Sequence, residues 1–163
     1  MPDMLVRLYD LPGLEAELAR QQSRSIAIHR ALAPDKQAVL KWVKRHWGRG
    51  WASECDVAFA RLPVACILAR RAGKDPDADD ILGFACYEST CRGFFGPTGV
   101  LPAEQGSGIG KTLLLATLHA MRGEGYAYAI IGGVGPDVQG FYAKAVGAVV
   151  IEGSDPGVYG GML

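Results

Sequence analysis

Apolar and polar positions change period repeatedly along the chain, and each change predicts an element. Leu14–Gln22 has helical spacing, whereas Ser25–Leu32 alternates Ile26 and Ile28 with polar neighbours, as a strand does. Pro34 and Asp35 open a helix with Val39, Leu40, Val43 and Trp47 on one side and Lys36, Lys41, Lys44 and Arg45 on the other. Gly48 and Gly50 stop it, and a second helix over Ala52–Arg61 ends before Pro63. Val64–Ala69 and Ile81–Tyr87 read as a hairpin joined by the acidic loop Ala72–Asp80, with Gly93–Leu101 as a third strand. Ile109–Arg122 carries the clearest helical stripe: Ile109, Leu113, Ala116 and Ala120, reinforced by Leu114, Leu118 and Met121. Tyr126–Val134 reads as a buried strand. Asp137–Val146 reads as a helix capped by Asp137 and closed by Gly147, and Ala148–Glu152 and Val158–Leu163 as terminal strands. The sum is an α/β chain, a mixed sheet with helices on its faces. It fits one domain over residues 1–163, with residues 1–24 as an N-terminal extension or added helix.

Composition narrows the partners. Seventeen basic and seventeen acidic side chains cancel, so no net field draws nucleic acid or an anionic membrane. The apolar run Tyr126–Val134 is too short to span a bilayer, and Met1–Leu11 mixes Asp3, Arg7 and Asp10 into its apolar residues, unlike a signal peptide. Cys55, Cys66, Cys86 and Cys91 form no CxxC pair and have no histidine at ligand spacing. They read as reduced thiols of a cytoplasmic protein, Cys66 and Cys86 as packing residues, and no metal is expected.

The candidate chemistry lies in Leu101-Pro102-Ala103-Glu104-Gln105-Gly106-Ser107-Gly108-Ile109-Gly110-Lys111-Thr112, a glycine loop running from a strand into the strongest helix. Such a loop presents unpaired N–H groups and the positive end of a helix dipole to phosphate oxygens. A P-loop would need glycine where Gln105 stands, and a dinucleotide fingerprint would need GxGxxG where the glycines are spaced by two. The pattern [QR]xxGxG is met by Gln105, Gly108 and Gly110, and one strand later comes Phe141-Tyr142-Ala143-Lys144-Ala145-Val146-Gly147-Ala148. Both segments, over Gly99 to Ala148, resemble the GNAT family of acyl-CoA N-acyltransferases.

That resemblance implies a mostly antiparallel central sheet with a splayed parallel strand pair and helices on both faces. It implies acetyl-CoA as co-substrate, no metal, and transfer of an acetyl group to a primary amine of a small molecule or protein by direct attack in a ternary complex. The alternative is a non-catalytic acyl-CoA-binding or sensing module. Pantetheine would pair with the main chain of Val100 and Leu101, and pyrophosphate would rest on Gln105, Gly106, Ser107, Gly108, Ile109, Gly110 and Lys111. Tyr142 is the expected general acid, Glu54 and Glu88 the candidate bases with Asp56 behind them. Trp47, Trp51 and Phe95 are expected to wall the substrate sites. Family members are often homodimers. One departure is visible: where many relatives place an Asn before the last helix, this chain has Gly132-Gly133-Val134-Gly135.

Overall fold

A computed structural model describes residues 1–73 and 77–162. Its strands are β1 (Met4–Arg7), β2 (Ile26–Arg30), β3 (Cys66–Arg71), β4 (Ile81–Tyr87), β5 (Phe94–Val100), β6 (Tyr128–Ile131) and β7 (Val149–Val150). Its helices are α1 (Glu15–Gln22), α2 (Lys36–Trp47), α3 (Arg49–Phe59), α4 (Ile109–Gly123) and α5 (Pro136–Val146). The strands form one sheet in the order β2-β3-β4-β5-β6-β1-β7, antiparallel throughout except for the parallel pair β5 and β6.

Successive side chains of a strand point to opposite faces, and β4 shows what each face receives. A Cβ at Gly83 would stand 3.0 Å from Leu113 of α4, so that face belongs to α4. Phe84, its neighbour, meets Trp42, Trp47 and Trp51 from α2 and α3 on the other face. Glycine at residue 83 thus lets the fully buried stripe Ile109, Leu113 and Leu118 close on the sheet. Gly48, at φ +89°, ends α2, and α3 starts at the next residue, so Trp47 and Trp51 both lie on helices rather than in a loop.

Residues 1–24 hold the expected added helix, α1, and a strand besides: Met4–Arg7 is inserted between β6 and β7, with Met4 opposite both Ile131 and Val150. Two expectations need correction. Gly157–Gly161 is a 3-10 turn where a strand over Val158–Leu163 is expected, because its glycines favour a bend over extension. Gly135, not Asp137, occupies the N-cap of α5, with Pro136 as the first helical residue. The expected loop Ala72–Asp80 includes residues 74–76, and the expected final strand includes residue 163; these four lie outside the described residues.

Candidate active site

The sheet opens where its one parallel pair ends. β5 and β6 are in register only at Phe94↔Ile130 and Phe95↔Ile131, after which β6 stops and β5 runs on to Val100. The Leu101 N–H donates to Leu82 O of β4 at 2.9 Å, so Leu101 faces its neighbour. By alternation, Thr98 and Val100 turn their main-chain groups into the gap. Of the two residues expected to offer pantetheine an edge, Val100 is therefore free and Leu101 is spent. The Gln105 side chain reaches the same edge, donating to Val100 O at 3.4 Å.

Just beyond lies the glycine loop. Gly106 and Gly108 sit at φ +78° and +86°, left-handed conformations that turn the chain sharply before α4. Among the described residues, none of the N–H groups from Gly106 to Lys111 donates to a protein acceptor. Ile109 is fully buried and offers only its backbone. The back of the loop is held by α1 and the residues after it. Gln21 Nε2 and Arg24 Nη1 donate to Ser107 O at 3.2 and 2.8 Å, and Lys111 Nζ pairs with Glu17 Oε1 at 2.8 Å. The hydrogen bond from Lys111 holds the Glu17 carboxyl below the usual carboxylate value. The Lys111 ammonium is thus engaged inside the fold, and its backbone N–H is what faces the loop mouth.

On the other side of the splay is a cavity of about 890 Å³. Tyr142 of α5, Phe95 of β5, and Trp51 and Glu54 of α3 all line it. Phe95 packs edge-on against Tyr142, with ring centroids 6.5 Å apart. The Tyr142 hydroxyl has no hydrogen-bond partner among the described residues, and burial pushes its pKa above the usual phenol value. Glu54 Oε1 accepts a hydrogen bond from Thr90. Tyr159, on the C-terminal 3-10 turn, completes the wall by lying against the Gly132–Gly133 backbone. A Cβ at Gly132 would stand 2.3 Å from its hydroxyl. The glycine run before α5 is room for this ring.

Three other candidates are placed elsewhere. Glu88 turns away from the cavity and accepts from the Gly93 N–H, closing the β4–β5 turn. Trp47 does not line it either: its indole covers Gly99, where a Cβ would come within 2.6 Å of the ring. Asp56 is paired with Lys36 at 2.7 Å. Sequence reasoning missed Thr90, Tyr159, Gln21 and Arg24. Only Tyr159 carried a local hint, in the glycines around it.

The model of the Acetyltransferase (GNAT) family matches residues 36–148. Among solved structures, the fold is similar to a GCN5-related glucosamine N-acetyltransferase region of a fungal multi-domain GH3 beta-N-acetylglucosaminidase, with TM-score 0.73 and 14% identity over 92% of this chain and 19% of that one. A GCN5-related N-acetyltransferase from Sphaerobacter thermophilus gives TM-score 0.59 and 17% identity over 92% of this chain and 48% of that one. A Drosophila protein gives 0.58 and 15% over 92% and 47%. The chain spans less than half the length of each of these solved chains. No curated protein matches the sequence.

Proposed function

Because the chain belongs to the GNAT acetyltransferase family, we propose that it moves an acetyl group from acetyl-CoA to the primary amine of a cationic acceptor by direct attack. One observation carries this reading: the splay of β5 from β6 joins a loop of unpaired N–H groups to a cavity holding a free phenol and a carboxylate.

The residues present fit the donor. Val100 and Thr98 offer an open strand edge, touched by the Gln105 side chain at Val100 O, to the amides of a pantetheine arm, as a peptide adds to a sheet. The N–H groups of Gly106 to Lys111 offer donors to a pyrophosphate, and a side chain at Gly108 would press on Gln21 Nε2 at 3.1 Å. Acetyl-CoA supplies an activated acyl carbon and a sulfur leaving group. Tyr142, kept protonated by burial, gives its proton to the sulfur as the carbon–sulfur bond breaks.

The acceptor side is acidic. The cavity's lining includes Glu54 and Asp155 but no Lys, Arg or His, and Asp155 is already paired with the Met1 ammonium at 2.6 Å. Glu54 is left to attract an ammonium, with the Trp51 ring beside it as a face for the cation or its carbon skeleton. An amine like lysine pays about 4.6 kcal/mol to lose its proton at pH 7. Glu54, held by Thr90, takes that proton directly or through water before the nitrogen attacks.

Calorimetry with acetyl-CoA tests the donor half. Micromolar binding by the wild type, lost in folded Gly108→Trp, is the expected result. An absence of binding to the folded wild type would sink the reading. Binding without transfer to any member of a panel of cationic amines would leave the acyl-CoA-sensing module in its place.

A further inference from the structure

Three of the four cysteines meet in the core, among them Cys66 and Cys86, which read from the sequence as packing residues. Cys66 and Cys86 are register partners across β3 and β4, and Cys55 descends on them from α3. All three are fully buried, Cys86 Sγ lies 3.6 Å from Cys55 Sγ, and the three sulfurs stand within 4.8 Å of one another. Cys91 is apart and partly exposed. A buried cysteine normally packs singly as a small hydrophobe. Here three polarisable donors from three elements face one point.

The triangle has the dimensions of a coordination shell. Three bonds of about 2.3 Å, the length of a zinc–thiolate bond, would set sulfurs about 4.0 Å apart if coplanar and closer if pyramidal. No separation here exceeds 4.8 Å, so side-chain shifts on the order of an ångström close the shell. Charge then selects the ion. The groups acting on the three sulfurs are each other, burial, and the Asp35 and Asp56 carboxylates; no cation is among them. Three thiolates around a monovalent or divalent ion would leave net negative charge in an apolar core, which is costly. Zinc also prefers a fourth ligand, and among the described residues no His, Asp or Glu completes the group. A trivalent ion leaves no net charge.

We propose that Cys55, Cys66 and Cys86 form a binding site for a trivalent thiophilic ion of the arsenite or antimonite kind. Arsenous acid, As(OH)3, reacts with three thiols to give As(SR)3 and three waters. Three S–H and three As–O bonds break, three As–S and three O–H bonds form, and arsenic stays at +3, so no oxidant or reductant is needed. The product is neutral and suited to a dry site.

The test incubates the reduced full chain with sodium arsenite a few degrees below its melting point, where the core opens transiently. The chain is then desalted and its intact mass measured. The expected gain is one arsenic less three hydrogens, in the wild type and in Cys91→Ser alike, and none in Cys86→Ala. With arsenite at about a hundredfold excess over Kd, the wild-type melting point should rise by about 5–10 °C. Should Cys86→Ala not fold, the wild-type mass gain decides alone. Four results would overturn the proposal: no arsenic on the folded wild type, a gain that retains a hydroxyl and so reports two thiols, a Cys55–Cys86 disulfide in its place, or displacement by equimolar zinc.

Discussion

Tyr142 and Glu54 reach the same cavity, and their surroundings suit the opposite tasks proposed for them. The phenol is half-buried and has no partner among the described residues, so its proton is held until a charge develops beside it. The carboxylate is steadied by Thr90, and among the described residues no Lys, Arg or His side chain lines the cavity. Tyr142→Phe should lower kcat by about a hundredfold while leaving acetyl-CoA affinity within about twofold, as read by steady-state kinetics and calorimetry. Glu54→Gln should cost a similar factor in kcat/KM for the amine. Its deficit should shrink as pH rises and the acceptor loses its proton unaided. A third residue-scale consequence follows from Gly99. Alanine there drives a methyl into the Trp47 indole, so Gly99→Ala should cost about 1–3 kcal/mol in urea unfolding.

At the scale of elements, α1 braces the loop it does not belong to. Glu17 is buried on α1 and pairs with Lys111 in the first turn of α4, which draws its pKa below the ordinary 4.5. A carboxyl whose folded pKa is lowered contributes stability above its unfolded value and loses it as pH falls through the folded one. Glu17→Gln should therefore melt about 2–4 °C below wild type at pH 7, with the gap closing below about pH 4 in thermal scans. Elements with a long internal period were legible in the sequence: α4 matched to within a residue, and Ile81–Tyr87 matched at both ends. β1 was not, because four residues that follow Asp3 and end in Arg7 carry little pattern and their partners lie more than a hundred positions away. The site divides in the same manner. The glycine loop and Tyr142 sit in contiguous motifs and could be read, whereas Thr90 and Tyr159 join Glu54 only when the chain folds. Glu88 misled because a carboxylate after a strand looks equally ready for a substrate or for a turn N–H.

At the scale of the molecule, the first residues tie the far half of the sheet to the cavity rim. The Val134 N–H donates to Pro2 O and the Gly133 N–H to Asp3 Oδ1, both at 2.8 Å, while the Asp3 N–H donates to Ser154 Oγ. Removing residues 1–8 should therefore abolish cooperative unfolding by circular dichroism, together with acetyl-CoA binding. A truncated chain that still melts sharply would show β1 to be dispensable.

The insertion of β1 also governs the order in which the molecule can be made. Of the seven strands it is made first, yet its two neighbours end at Ile131 and Val150. Throughout synthesis of the intervening chain, Met4–Arg7 is an unpaired edge, with a long loop-closure cost still to meet. The half-sheet from β2 to β5 can assemble as it emerges, but the seam joining β6 to β7 waits for nearly the whole chain. Birth order and assembly order run in opposite directions here: of these seven strands, the first to be made pairs with the last two.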